Sequence, residues 1–381
     1  MTASSAQGAD VVLAVNAGSS SLKYGLHDRQ GQVLWGGQFD GLHGDAALRQ
    51  ALQSLLPMVQ ARPERLCAVV HRIVHGGSGF MQPCVIDDAA LQALAALNAL
   101  APLHQPHNLA GVAAFRAAFP ALPQIGCFDT AFHASMPEVE RCFALPRELS
   151  AQGLRRYGFH GLAYASVLEG LQAAGAAWQG RCVLMHLGSG ASVCAVQGGR
   201  SVATSMGFSA VDGLMMGTRT GSLDPGVLLH LLGQGWDAAA LQKLLYRESG
   251  LLGVSGLSAD MRVLRASSDA RATEAIALFT HRVLREVGAM VALLGGVDLL
   301  AFSGGIGEHD ALLRAELAAA LRFAGVRLDV DANAAASIEA GGHRAAPLHA
   351  ADSVVQLWVV PADEGAHAAR AAFALLDAQA A

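Results

Sequence analysis

"VVLAVNAGSSSLKYGLHDRQGQVLWGG", Val11–Gly37, is an apolar run that breaks into small residues after Asn16, resumes, turns at Asp28–Gly31 and resumes again. Its apolar runs and turn residues predict three short strands joined by two turns, the first rich in glycine and serine. A second stretch, "CVLMHLGSGASVCAVQGGRSVATS" at Cys182–Ser205, has the same layout: apolar run, small-residue turn at Gly188–Ser192, strand, tight turn at Gly198–Gly199, strand. Identity between the two is low, but they match element for element, so a duplicated architecture with a cleft between its halves is expected. A third apolar run, "DLLAFSGGIGEHD" (Asp298–Asp310), closes on glycines and reads as a third turn.

Such turns have a specific physics. Glycine permits positive φ and close backbone approach, so successive N–H groups can point at one anion. Serine hydroxyls add donors without charge. Two such turns suit the two ends of a polyphosphate, with Lys23 near the transferred group; Lys23 is one of only two lysines, the other being Lys243. The plain alternative for any one loop is a β-hairpin with serine-rich turn chemistry.

Between the two stretches the sequence reads as helix at Ala46–Gln60, Asp88–Ala101, Asn108–Phe119 and His160–Ala177. After the second come Leu223–Leu232, Trp236–Tyr246, Asp269–Leu294, Asp310–Phe323 and a last helix from Asp363 to the end. Strands carry "LCAVVHRIV", "QIGCFDTAF" and "QLWVVP". This gives α/β domains with mixed sheets. The expected division is 1–131 plus 363–381, the last helix packing back on the first half, and 132–362.

At 381 residues, 52% hydrophobic and 15% charged, the chain is expected to form a soluble two-domain globular protein. A net charge of −5 argues against a nucleic-acid or membrane-surface protein. The six scattered cysteines contain no CxxC pair and read as reduced, and the N-terminus lacks signal-peptide features, so a cytoplasmic location is expected.

Arginine at a strand end is a common anion clamp. "CAVVHRIVHGG" puts Arg72 where a strand leaves the core, and "GLMMGTRTGSLDPG" puts Arg219 in a glycine-flanked loop before a helix. Planar bidentate donors suit a small carboxylate and a transferring phosphoryl group; a structural salt bridge is the alternative for each. Asp129, ending the strand in "GCFDTAFH", suits orienting a group, holding Mg²⁺ or capping the next segment. His160 precedes a helix in "RRYGFHGLAY", His104 sits in a proline-bounded turn, and each reads equally as ordinary structure. Asp363-Glu364 open the final helix, where the dipole favours carboxylates, and suit contact with Mg²⁺ directly or through water.

These residues resemble the acetate kinases, with their propionate and butyrate kinase relatives, of the acetate/sugar kinase–Hsp70–actin superfamily. "NAGSSSLKY", "HRIVHGG", "LAPLH.P.N", "FDTAFH", "RRYGFHG", "HLGSGAS", "MGTRTG.LDPG" and "SGGIGE" occur in the family's order over nearly the whole chain. The resemblance implies two actin-like, ribonuclease H-like α/β domains with mixed sheets, duplicated around a cleft. It implies Asn16, Ser21 and Lys23 near the phosphoryl group, and Arg72 and Arg219 around the acyl phosphate. His160 would stabilise the transferred phosphoryl, and Asp129 would lie near Mg²⁺ and the nucleophile. His186 and Gly188-Ser189-Gly190 would hold ATP phosphates, with Gly304, Gly305 and Gly307 on the adenosine side. Val74, Leu103, His104, Phe159 and Ala210 would form the acetate site. Asn16, Asp363 and Glu364 would serve Mg²⁺, for which Mn²⁺ can substitute. The expected reaction is acetate + ATP ⇌ acetyl phosphate + ADP by a homodimer.

Four positions depart from the family pattern. Ser189 replaces an asparagine, Asp363 a glutamate, Ala210 a proline expected to narrow the acyl pocket, and "TGS" (Thr220–Ser222) stands for "SGD". Ala210 raises propionate as an alternative substrate. Ser189 and Asp363 raise a non-catalytic nucleotide-binding paralogue. A sugar kinase, using Asp129 as base for a hydroxyl, is a third reading.

Overall fold

Val11 to Val15 are all buried, because the strand that contains them is covered on both faces. In the computed structural model, which describes residues 9–380 apart from 19, 20, 43, 103 and 337–343, this strand is β1 (Asp10–Ala17). Its odd residues Val11, Leu13 and Val15 pack with Leu48, Leu52, Leu55 and Val59 of the helix Asp45–Gln60. Its even residues Val12 and Ala14 pack with Ala368, Ala369, Ala372 and Phe373 of the helix Glu364–Ala380. The period-two alternation of a strand thus sends neighbouring apolar residues into two different cores. Each fully buried aliphatic side chain contributes about 1.5–3 kcal/mol.

β1 is followed by β2 (Ser21–His27), β3 (Val33–Asp40), β4 (Arg65–Ile73), β5 (Cys84–Val85) and β6 (Gln124–Phe128). They form one six-stranded sheet in the order β3-β2-β1-β4-β6-β5. The first three strands are an antiparallel meander, β4 runs parallel to β1 and β6 parallel to β4, and β5 closes the edge antiparallel. A second sheet contains β7 (Arg181–Leu187), β8 (Ala191–Gln197), β9 (Arg200–Thr204), β10 (Leu299–Ser303), β11 (Ala346–Pro347) and β12 (Gln356–Val359). Its order, β9-β8-β7-β10-β12-β11, repeats the first strand for strand, with the same parallel and antiparallel pairings. This is the duplicated α/β architecture with mixed sheets that the two echoing stretches predict.

The chain divides into two compact units: residues up to 134 with 160–166 and 363 onward, and residues 135–159 with 167–362. In the second, the helix Ala270–Leu294 buries Ala272, Ala275, Ile276, Phe279, Val283, Val287, Met290 and Leu294, the spacing of one helical face. Asp269 caps its start by accepting from the Arg271 N–H, and Gly295 ends it in the left-handed conformation.

Some boundaries differ from expectation. The helix after the proline-bounded turn begins at Gln105 rather than Asn108, with Pro106 in its first turn, where a missing N–H costs nothing. The helix expected over Asp88–Ala101 stops at Ala95, and the one expected from His160 runs Gly161–Ala173. Gly304–His309, expected as a turn, is a six-residue helix.

Candidate active site

Within the first unit, β4 and β6 run parallel and adjacent, so residues at their carboxyl ends share one edge of the sheet. Arg72 lies there on β4 and Asp129 immediately follows β6. Their side chains form a fork: Arg72 Nε donates to Asp129 Oδ1 at 3.0 Å and Nη2 donates to Oδ2 at 2.7 Å. Arg72 Nη1 lies 3.2 Å from Glu364 Oε2, at the start of the last helix. Asp129 is only 1% exposed, whereas the Arg72 and Glu364 side chains each keep 21% of their surface in solvent. Burial works against the Arg72 charge, but the two carboxylates outweigh it and hold its pKa above the ordinary arginine value. Three expected site residues are therefore in direct contact. Both Nη atoms of Arg72 retain N–H groups for an anion.

Asp129 also positions the next expected residue. Its backbone carbonyl accepts from the Gly161 N–H at 2.9 Å. A Cβ on Gly161 would stand 2.1 Å from that oxygen, so only glycine fits. Just before it, His160 has φ +61°, the sole non-glycine in that region among the described residues. For a histidine this conformation is uncommon, and such strain concentrates at functional sites. Phe159 is buried in the second unit's segment. There Arg156 Nη1 donates to the carbonyls of Thr204 and Met206 (3.1 and 3.0 Å), and Tyr157 N donates to Gly207 O at 3.0 Å.

The residues that hold the loops of the first unit were not found from sequence. Asn108, buried, donates through Nδ2 to Ala17 O at 2.6 Å and accepts at Oδ1 from Val74 N at 2.9 Å. Gln105, also buried, exchanges two hydrogen bonds with the backbone of His75. Thr130 Oγ1 accepts from Gly76 N at 3.0 Å. One helix, Gln105–Ala118, thus clamps the segments that leave β1 and β4. His104 is its N-cap residue, and Leu103, expected in the acyl pocket, lies outside the described residues. The only signal was the polar run "HQPHN" at the start of an otherwise apolar helix.

The first glycine/serine loop is described at its ends. Gly18 N donates to Ser21 O at 2.8 Å, and the β1–β2 ladder sets Asn16 opposite Lys23, whose side chain is exposed. Among the described residues Lys23 forms no ion pair. Asp363 caps the last helix, its Oδ1 accepting from Ala366 N at 2.9 Å, while its own N–H donates to Ser166 Oγ.

In the second unit, Gly188 N donates to Gly190 O at 3.0 Å, closing a turn whose tip, Ser189, is exposed. An added Cβ on Gly188 would stand 3.9 Å from Gly305 N, so the two glycine clusters meet. His186 Nδ1 lies 3.3 Å from Ser303 Oγ, at the end of the neighbouring β10. Gly304 takes φ +75°, and a Cβ there would stand 2.7 Å from Leu187 O.

The Gly304–His309 helix, missed from sequence, is held at both ends. Glu308 Oε1 accepts from Gly304 N at 2.8 Å. Buried Arg314 donates to the carbonyls of Gly307 and Glu308 and to Asn333 Oδ1. Burial lowers the Arg314 pKa, with Asp310 opposing. The Gly304 N–H, read from sequence as part of an anion-binding turn, is therefore already occupied by a carboxylate, while Gly305 is open.

Arg219 Nη1 donates to Ala210 O at 2.9 Å, so the arginine is tied to the position where a proline was expected. The "TGS" departure also has a physical account. Ser222 Oγ donates to Asp212 Oδ1 at 2.9 Å and accepts from Gly213 N at 3.3 Å, replacing a second carboxylate beside Asp212 with a hydroxyl. Among the described residues no group of three or more His, Cys, Asp or Glu could hold a metal ion, and no helix is long and apolar enough to cross a membrane.

A model described as the Acetokinase family matches residues 40–370. An acetate kinase of Rhodopseudomonas palustris (strain ATCC BAA-98 / CGA009) is 46% identical, covering 97% of this chain and 99% of that protein. Among solved structures, Porphyromonas gingivalis acetate kinase superposes with TM-score 0.86 at 34% identity, covering 97% of this chain and 100% of that one. A propionate kinase from Francisella tularensis subsp. tularensis SCHU S4 gives TM-score 0.84 at 31% identity, covering 95% and 98%.

Proposed function

The chain belongs to the acetokinase family, and we propose from this that it transfers the γ-phosphoryl group of ATP to acetate, reversibly, giving acetyl phosphate and ADP. The observation that carries the reading is the Arg72–Asp129–Glu364 contact at the carboxyl ends of parallel strands. A carboxylate substrate is already ionised at neutral pH and needs no base to attack. The enzyme's work is alignment and charge stabilisation of an in-line transfer. Asp129 spends both oxygens on the Arg72 fork, an arrangement that fixes a guanidinium rather than one that removes a proton from a sugar hydroxyl.

Arg72 and Arg219 hold the acyl phosphate, and His160 donates to the transferred phosphoryl group. Asn16, Ser21 and Lys23 serve the same group. His186, Gly188, Ser189 and Gly190 take the ATP phosphates, and Gly305 and Gly307 the adenosine side, with Gly304 shaping the turn. Val74, Leu103, His104, Phe159 and Ala210 surround the acyl chain. The metal is Mg²⁺. Asp363, Glu364 and Asn16 offer hard oxygen donors without a closed cage, which suits an ion that keeps waters and arrives with phosphates. When bound, the ion neutralises phosphate charge. Transfer is direct, without a phosphoenzyme, so both substrates must be present together.

The protein acts in the cytoplasm as a homodimer. All six cysteines are free, as a reducing compartment requires. The helix Pro225–Gly233 leaves Val227, Leu229 and Leu232 at the surface, an apolar face suited to a second copy. A hydroxamate assay with Mg²⁺-ATP and acetate tests the central claim: acyl phosphate is expected, and its absence with nucleotide still bound would favour the non-catalytic paralogue. Light scattering at micromolar concentration tests the dimer.

A further inference from the structure

Glu308 Oε1 accepts a second hydrogen bond besides that from Gly304 N: Ala362 N donates to the same oxygen at 3.2 Å. One carboxylate oxygen thus ties together two backbone segments that are 58 positions apart in sequence. The first is the start of the Gly304–His309 helix, which leads into Gly305 and Gly307. The second lies three residues beyond the end of β12, just before the last helix. Resting on the functional reading above, we propose that Glu308 is a positioning residue for the phosphoryl transfer. It holds the nucleotide-side glycines of the second unit in a fixed position against the backbone at Ala362 of the same unit.

The geometry makes Glu308 well suited to this. Buried Arg314 holds the far end of the same short helix through the Gly307 and Glu308 carbonyls, so the Glu308 backbone is immobilised and its side chain is the adjustable strut. Backbone N–H groups that bond an ionised carboxylate make stronger, shorter hydrogen bonds than neutral pairs do. Gly304 is itself confined by Leu187 at the end of β7, next to the 188–190 turn. A displacement at Ala362 is therefore passed through Glu308 to the glycine cluster, and the reverse.

The test compares Glu308→Ala, Glu308→Asp and Glu308→Gln with the wild-type chain. The readouts are KM for ATP, kcat, ADP binding by titration calorimetry without acetate, and Tm. Losing both bonds in Glu308→Ala is expected to raise KM for ATP and weaken ADP binding by on the order of tenfold. It is also expected to lower kcat, because the start of the Gly304–His309 helix loses its anchor. Glu308→Gln keeps an oxygen acceptor and is expected to recover KM and ADP affinity to within about threefold, since the geometry survives loss of charge. Glu308→Asp, one methylene short, is expected to lose nucleotide affinity at near wild-type Tm, which keeps the test open if the alanine variant does not fold. Variants that lower only Tm, with KM, kcat and ADP affinity unchanged in the folded fraction, would overturn the proposal. So would a glutamine variant as impaired as the alanine one. A wild-type chain that makes no acyl phosphate would instead sink the functional reading, and ADP titration would still report on Glu308.

Discussion

Arg72 and Asp129 meet through two near-parallel hydrogen bonds of 3.0 and 2.7 Å, although 57 positions separate them in sequence. The carboxylate is fully enclosed and the guanidinium only partly so. Removing the arginine would take the guanidinium fork away from a buried carboxylate. Arg72→Ala should cost about 3–5 kcal/mol of stability and lower kcat on the order of 10²–10³-fold, as loss of a donor to developing charge does. Arg72→Lys restores charge but not the fork and should recover stability only in part. Denaturant titration and steady-state kinetics check both; an alanine variant with unchanged kcat would remove Arg72 from the site.

Gly161 is enclosed by the Asp129 carbonyl and the Phe132 side chain. Gly161→Ala should destabilise by about 1–3 kcal/mol through overpacking, and should also lower kcat because relief of the clash moves Asp129. Substitution at Gly175, whose surroundings are open but whose φ is positive, strains only the backbone. Gly175→Ala should reduce Tm without affecting kcat, and the pair of variants separates site geometry from general strain.

Arg219 is held to the Ala210 carbonyl. Arg219→Ala should lower kcat on the order of 10²–10³-fold; full kcat would show that this loop does not touch the reacting groups.

Ala210 lacks the ring of the proline that the family resemblance leads one to expect at this position. kcat/KM for propionate should lie within about tenfold of that for acetate, since one methylene is worth about 1–3 kcal/mol in a pocket. Ala210→Pro should shift the ratio toward acetate. A strong native preference for acetate would remove the argument.

His71 is buried and its Nε2 contacts Gln124 Oε1 at 2.9 Å. Burial depresses its pKa to about 4, with the Gln124 bond opposing. Between pH 6.5 and 4 the unfolded chain takes up a proton that the folded chain does not, so the stabilisation present above pH 6.5 is lost as pH falls toward 4. The loss should reach about 3 kcal/mol. His75, also depressed to about 4 by burial, adds in the same direction. In His71→Gln, the fall in Tm over this window should be shallower than in the wild type; an equal slope would assign the acid sensitivity elsewhere.

The sheets were legible because their signals are local. The apolar run Val11–Val15 and the turn at Gly198–Gly199 lie within a few residues of what they determine. The clamps were not, because Asn108 acts on Ala17 across 91 positions and Gln105 on His75 across 30. The Gly304–His309 helix was misread for a physical reason. Three glycines signal a turn, but Glu308 and Arg314 satisfy the backbone at its two ends and stabilise a helix despite them. Likewise, the partner of Arg72 was among the residues named, yet nothing in the sequence indicated that Asp129 would be consumed in holding it.

The repeated sheet has one more implication. One step beyond the Val15–His71 rung of the first ladder lie Asn16 and Arg72, each next to last in its strand; the matching rung of the second ladder joins His186 to Ser303. Counted from the glycines that follow, Gly18 and Gly188, the same address is filled by a guanidinium in one copy and a hydroxyl in the other. The same strand order therefore carries different chemistry at one equivalent position: the backbone plan is repeated, and the side chain it presents there is not.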